Sequence, residues 1–408
     1  MDLSYRIAVR YFFSRNKRSF ISVIARIAMA GVAVGTMAMV VVLSVFNGME
    51  DLNRKIFKTF DADIKITPAE GKRFKVNDAF IQNIKSVEGV KFVTQVVEDN
   101  ALAQYGNQQI IVRLKGVDSG FEQQAELDTA LIEGSLRLYG NNGTPYAITA
   151  EGIRNALSIS LEDILTPLQL MYPKTGTKTI AVNPSEAFNT LSLRPGGVFF
   201  IESRYDDYVI APVALVEQLM EYHGERSSLE IKVAPGFTEK RVSRALAEKL
   251  GGQFVVKDRD SLNSDLLRAI RLEKLFVAIT LSFIILVAAI NIFFSLSMLA
   301  IEKKKDVSML YALGATPKLI RKIFLAEGAI VALSGAIFGL CAGIALCLLQ
   351  IKYGFVSMGM ATSLVDAYPV KLIWGDILFT GVIVVIITML VSYIPARRAA
   401  QAGQILPV

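Results

Sequence analysis

Residues 275–301 read LFVAITLSFIILVAAINIFFSLSMLAI, a run without a single charged side chain. At about 1.5 Å per residue, a helix of this length is ~40 Å long and crosses roughly 30 Å of hydrocarbon. Residues 27–46, 328–351 and 377–396 are likewise free of charge. These blocks explain how a 408-residue chain can be 52% hydrophobic and still 20% charged. They exclude a disordered chain and an ordinary soluble protein. Residues 47–274, between the first two blocks, are enough for one or two domains. The expected fold is an α-helical membrane protein with four transmembrane helices and a large mixed α/β domain inserted between helices 1 and 2.

Short segments rich in Lys and Arg stay on the cytoplasmic side of a span. The arm 1–26, the loop 302–327 and the tail 397–408 together carry fourteen basic and four acidic residues, a net charge of +10. The segment 47–274 has 28 basic and 31 acidic residues, and the loop 352–376 is neutral. Both termini are therefore expected in the cytoplasm and the large domain outside. The overall charge of +7 is a topology signal, which removes the basis for a nucleic-acid partner. The first block is longer than a signal-peptide core, and LSVFNGME after it offers no cleavage pattern, so it reads as an uncleaved anchor. Cys341 and Cys347 both fall in the third block, so no disulfide can staple the outer domain.

Within that domain, Ile64 and Ile66 alternate as in a strand. A Gly106-Asn107 pair between two strand-like runs predicts a tight hairpin. Val242, Leu246 and Leu250 share one helical face behind Thr238, a candidate cap. From Ser261 onward the sequence predicts a helix continuing into the second span, either a mechanical connection or a plain boundary helix. Residues 172–197, YPKTGTKTIAVNPSEAFNTLSLRPGG, combine prolines with Ile180, Val182, Phe188 and Leu191. This composition predicts a protruding, ordered loop, serving as a partner-binding arm, or else a long surface hairpin packed on its own domain.

Inside the spans, Gly31 and Gly35, and Gly335, Gly339 and Gly343, recur at four-residue spacing. Small residues so placed let helix backbones approach closely, and packing within one chain is the expected use. Asn291 must find a hydrogen bond in hydrocarbon, expected from another helix, with a substrate contact as the alternative. The spans contain no carboxylate for a proton relay.

In the loop IEKKKDVSMLYALGATPKLIRKIF, Val307, Leu310 and Leu313 lie at spacing three, with Met309 beside them. Gly314 suits a left-handed helix end, and Thr316-Pro317 suits an N-cap and first helical position. The apolar stripe could lie on lipid headgroups or dock into a protein. No phosphate-binding loop, HExxH, GxSxG or metal-spaced cysteine pair is present, and the single histidine, His223, has no evident partner. An enzymatic role is not expected, and energy from ATP would have to come through another chain.

Three stretches resemble a known family. AVRYFFSRNKRSFISVIARIAMAGVAVGTMAMVVVLSVFNGME (8–50) is similar to the N-terminal signature of the lipoprotein-releasing ABC transporter permeases of the LolC/LolE type. AINIFFSLSMLAIEKKKDVSMLYALGATPKLIRKIFLAEG (289–328) and SYIPARRAAQAGQILPV (392–408) resemble its second span with coupling segment and its C-terminal end. The last two are shared with the wider FtsX-like and MacB-like permeases. The resemblance covers residues 1–66 and 259–408, and the outer domain only in organisation.

It implies a multi-pass subunit of the bacterial inner membrane with a periplasmic domain. It further implies a second permease, identical or related, and two copies of a cytoplasmic ATPase, with ATP and Mg bound there and no cofactor in this chain. The ATPase contact would be Glu302, Val307, Leu310, Leu313, Gly314, Ala315 and Thr316. Lipoproteins would enter a cavity lined by Met39, Leu43, Phe46 and Met49 of the first span and Phe276, Ile279 and Phe283 of the second. They would then pass to a periplasmic carrier, held by an arm carrying Pro173, Pro184, Phe188 and Pro195. The alternatives are a MacB-like mechanotransmitter and an FtsX-like scaffold regulating a cell-wall hydrolase.

Overall fold

The computed structural model describes residues 6–7, 10, 20–124, 127–174, 187–358 and 367–402. Most of the arm 1–26, Pro184 and the tail beyond residue 402 lie outside the described residues. Two compact units are present, one formed by residues 1–52, 268–359 and 365–408, the other by 53–267 and 360–364.

The first unit is built on four long helices, Phe20–Phe60, Ser264–Glu302, Pro317–Tyr353 and Trp374–Ala402. Each is long and apolar enough to cross a membrane. The second does not begin at Ser261 as expected. A separate turn, Arg259–Leu262, is capped by Asp258 and ends at Asn263, and the long helix starts at Ser264.

The spaced glycines hold these helices together. Ile285 of the second helix lies where a Cβ on Gly35 would point, at 2.9 Å, and Ala288 approaches Gly31 at 3.4 Å. On the third helix, a Cβ at Gly335 would stand 2.8 Å from the Met29 carbonyl oxygen, and one at Gly339 would strike the Ala33 carbonyl. Gly343 meets Val40 in the same way, at 3.0 Å. Lipid tails are as apolar as leucine, so van der Waals packing at close range must hold the spans together, and glycine permits it. Ala28, Val32, Met39, Leu43, Ile285, Ile292 and Val331 form the core of this bundle.

Among its described residues the second unit carries twelve strands: β1 (Ile64–Pro68), β2 (Phe74–Lys75), β3 (Val90–Tyr105), β4 (Gln108–Val117), β5 (Leu131–Gly134), β6 (Tyr146–Ala150), β7 (Leu168–Pro173), β8 (Phe188–Phe199), β9 (Tyr208–Pro212), β10 (Glu225–Arg226), β11 (Ser228–Val233) and β12 (Phe254–Asp258). Ten form one mixed sheet in the order β12-β1-β11-β3-β4-β9-β6-β8-β5, with β7 pairing both β3 and β8. Pairing through β3, β4, β9, β6, β8 and β7 thus returns to β3 and closes on itself, which removes edges along that circuit. Its core holds Val97, Leu114, Leu168, Leu170, Leu193 and Val209, joined by Ile153 and Val216 from two short helices.

Beside it, β1, β11 and β12 pack on helices Asp78–Lys85 and Glu239–Leu250 through Ile64, Ile66, Ile84, Leu229, Ile231, Val242 and Leu246. The Gly106-Asn107 turn forms as expected, with Gly106 at φ +57° and Tyr105 opposite Gln108. Thr238 occupies the N-cap position, but its hydroxyl makes no capping bond.

Because the third helix meets backbone at Gly339, Gly339→Ala should destabilise the bundle by about 1–3 kcal/mol, the usual cost of overpacking. Gly381→Ala is the control, since its nearest neighbour lies 3.8 Å away. Thermal unfolding in detergent should show a lowered midpoint for the first variant alone.

Candidate functional site

The loop after the second span folds as an elbow. A short helix, Lys304–Ala312, ends at Leu313, and Gly314 takes φ +88°. Thr316 then caps the third helix by accepting a hydrogen bond from the Leu319 N–H at 3.3 Å, with Pro317 in the first turn. The expected stripe divides. Val307 is buried, and Leu310 and Ala315 pack with it against Leu299, Ile320, Phe324 and Ala396. The Tyr311 hydroxyl fastens the helix to the Ala400 carbonyl at 2.6 Å. Leu313 is 83% exposed, Met309 is 59% exposed, and Glu302, Gly314 and Thr316 are also exposed. Val307 and Leu310 therefore hold the elbow in place, and Met309 and Leu313 present its apolar surface. The i, i+4 spacing of 309 and 313 is the sequence signal for that second face.

The residues expected to line a cavity do not share one surface. Phe276, Ile279 and Phe283 are exposed on the second helix, and the exposed strip continues through Val287, Ile290, Phe294 and Met298. Phe46 and Met49 are half-buried. Met39 and Leu43 are buried in the bundle core with Ile285, which corrects their assignment as lining residues. Four-residue spacing marks a helix face without saying which medium it meets. Asn291 lies on the exposed strip, and its side chain makes no hydrogen bond among the described residues, so the expected bond to another helix is not formed among them.

At one end of the bundle a polar latch joins three helices. The Lys274 ammonium donates to Asn47 Oδ1 and Asp376 Oδ2, each at 2.7 Å, and Asn47 Nδ2 donates to Asp376 Oδ2 at 2.6 Å. Lys371 pairs with Asp51 nearby, and the Pro369 backbone lies where a Cβ on Gly48 would stand. Asn47 and Gly48 belong to LSVFNGME, so the chemistry of that motif is helix fastening. Sequence reading missed the latch because its members are far apart in the chain.

In the second unit, Pro173 ends β7, Phe188 begins β8 and Pro195 lies within β8. Pro184 is outside the described residues. The 172–197 segment is thus less loop than expected. Residues 188–197 are strand, paired from Pro173↔Phe188 to Leu168↔Leu193 with β7. Pro195 is tolerated at the register shift between Ala147 and Ile148 of β6, where the ladder does not need its missing N–H.

A cleft of about 270 Å³ on the sheet is lined by Lys65, Glu98, Asp99 and Arg113 among others. Burial alone would raise the Glu98 carboxyl. The Lys65 and Lys115 ammoniums and the Tyr208 hydroxyl, donating at 2.9 Å, prevail and hold it at about 2. Behind it, Lys115 and Glu230 pair at 2.8 Å, both side chains 3% exposed.

Lys274→Met leaves Asp376 only Asn47 in the latch and should lower the detergent melting temperature, by the equivalent of about 1–3 kcal/mol for losing hydrogen bonds to a charged group. Adding Asp376→Leu should recover part of the loss, as a double-mutant cycle reads. Glu98 has a depressed pKa, so its contribution is complete above the ordinary value of 4.5 and is lost as pH falls through about 2. Glu98→Gln should therefore be less stable at neutral pH and lose less stability than the parent across that acid window, measured by near-ultraviolet circular dichroism.

Sequence comparison agrees with this two-unit architecture. The profile of the MacB-like periplasmic core domain matches residues 26–249, and that of the FtsX-like permease C-terminal region matches 278–403. The lipoprotein-releasing system transmembrane protein LolE of Haemophilus influenzae is 24% identical over 100% of this chain and 99% of its own. LolC of Neisseria meningitidis is 24% identical over 97% of this chain and 96% of its own. Among solved structures, the periplasmic region of MacB from Actinobacillus actinomycetemcomitans covers 52% of this chain and 94% of its own, with 13% identity and a TM-score of 0.35. With a periplasmic core domain and a permease C-terminal region matched in the order the fold displays them, the chain belongs to the FtsX-like permeases of the LolC/LolE type.

Proposed function

We propose that this chain is the permease subunit of an ABC transporter that lifts lipoproteins from the outer leaflet of the bacterial inner membrane and hands them to a periplasmic carrier. The observation that carries the reading is the elbow. Met309 and Leu313 stand exposed beside a left-handed Gly314, on a helix whose other face is anchored to the bundle. A rigidly held apolar knob is suited to a groove on a protein, and a soft headgroup layer would not require such anchoring. Two ATPase subunits docked on two such elbows would supply the hydrolysis for which this chain has no phosphate loop.

The energetics require an external drive. Each acyl CH₂ removed from the bilayer costs about 0.8 kcal/mol, so a multi-chain anchor does not leave unaided at a useful rate. The exposed strip from Phe276 to Phe283 offers the apolar wall for such chains. Asn291, farther along the strip, faces a second permease, where an amide finds in the partner the hydrogen bond it lacks here. In this reading the charge bias places both termini in the cytoplasm and residues 53–267 in the periplasm. The β7–β8 hairpin is the element proposed to hold the carrier.

The test is release of a labelled lipoprotein from vesicles containing this chain, its second permease and its ATPase, with the carrier added. Release should require ATP. Leu313→Glu should reduce release by roughly tenfold or more, because burying an unpaired charge at a docked contact costs over 1.4 kcal/mol. The same variant should bind less ATPase yet melt like the parent. Equal release without ATP, or full activity of Leu313→Glu, would sink the proposal.

A further inference from the structure

Beyond the surfaces described, the membrane unit holds a cavity of about 320 Å³. Its walls come from Val41 and Val45 of the first helix, Leu346 and Leu349 near the end of the third, and Phe355 and Val356 of the loop that follows. No residue of the second helix lines it, so it is separate from the Phe276–Phe283 face.

The loop wall is fixed. Gln350 Nε2 donates to the carbonyls of Val356 and Tyr368, at 2.9 and 3.2 Å, and its Oε1 accepts from the Val356 N–H at 3.0 Å. Tyr368 N–H donates to Val356 at 2.8 Å, and Lys371 N–H donates to the Ser44 carbonyl of the first helix at 2.9 Å. The loop is thus tied to both helices. These bonds also use up the Gln350 amide, the main polar group in the lining, leaving it little capacity to hold a polar ligand or a water cluster.

Its lining is apolar and offers water few partners, so water is poorly held there. Left empty, its walls would forfeit their contacts. Leu346 and Leu349 of the third helix and Phe355 and Val356 of the loop are lining residues that are also exposed, and beside the helix hydrocarbon is what lies there in a bilayer. Lys352 follows Leu349 by three residues on the same helix and is exposed, with its ammonium over the Tyr353 ring at 5.2 Å. That places a cation within the reach of a phosphate group whose acyl chain enters the cavity.

We propose that this cavity is a binding site for one acyl chain of a membrane phospholipid, held as a resident lipid between the first helix, the third helix and the tied loop. The chain wedges the two helices at the end where their glycine contacts stop. The site is independent of the cargo, since it shares no lining residue with the face proposed for lipoprotein chains.

The experiment is native mass spectrometry of the full-length protein after exhaustive detergent washing, with extraction and identification of what remains bound. About one phospholipid per chain should persist. Val45→Trp, which fills the cavity from the first helix, should lower retention by roughly tenfold, as expected if even two methylenes are displaced. Leu390→Trp, on an exposed part of the fourth helix, should retain it. Should Val45→Trp fail to fold, Leu349→Trp blocks the cavity from its exposed rim. A photoreactive-acyl phospholipid in vesicles should crosslink within residues 346–356. The proposal is overturned if the parent retains no lipid, if both tryptophan variants that fold retain it equally, or if the retained mass is a lipopeptide.

Discussion

The architecture of the membrane unit depends on backbone touching backbone. Gly335 and Gly339 of the third helix face the carbonyls of Met29 and Ala33, and Gly343 faces Val40. In water, burial of leucine against leucine would have held two helices at ordinary spacing. In lipid that gain is missing, and contact distance must supply the attraction. The first helix is then engaged on two sides, by these glycines and, through its own Gly31 and Gly35, by Ala288 and Ile285 of the second. Met39 and Leu43 are consequently interior residues. The second helix, packed on the first along one face only, keeps its long opposite face free.

That division of surfaces bears on the proposed function. A face that stays apolar and exposed from Phe276 to Met298 can meet lipid chains, cargo chains or another permease without remodelling the bundle. The elbow at Gly314 follows the same logic. Val307, Leu310 and the Tyr311 hydroxyl bind it to the base of the helices, so force applied at Leu313 passes into the third helix instead of being lost in a flexible loop. At the other end, the Lys274 latch joins the first, second and fourth helices. Movement within this unit is therefore expected as motion of fastened helices, with strain carried by polar contacts at their ends.

Much of this was legible in the sequence, where one physical rule dominates one stretch. Uncharged runs gave the spans, glycine spacing the close contacts, and Gly106, Gly314 and Thr316-Pro317 their turns and cap, because solvent and sterics leave little choice. The assignment of faces was less legible. Met39, Leu43 and Val307 have the same periodicity as exposed residues, and only the positions of neighbouring helices determine which side is buried. The latch, the closed strand circuit through β7 and the Gln350 bonds unite residues distant in the chain. No local pattern encodes them. The proline-rich 172–197 segment misled for a related reason, since Pro195 sits at a bulge where its missing N–H costs nothing.

The polar groups of the two units answer different solvents. In residues 53–267, Lys115 and Glu230 are buried together and Glu98 is ringed by ammoniums, so these charges taken from water have partners. In the spans, several hydroxyls turn back to their own helix, as Thr36 does to Val32 and Thr388 to Val384. Asn291 does neither. An amide exposed on an apolar face is costly in hydrocarbon unless another chain completes it. Among the described residues, the polar side chain left without a partner on the exposed face of the second helix is Asn291, and in the proposed function that is where a second permease would complete it.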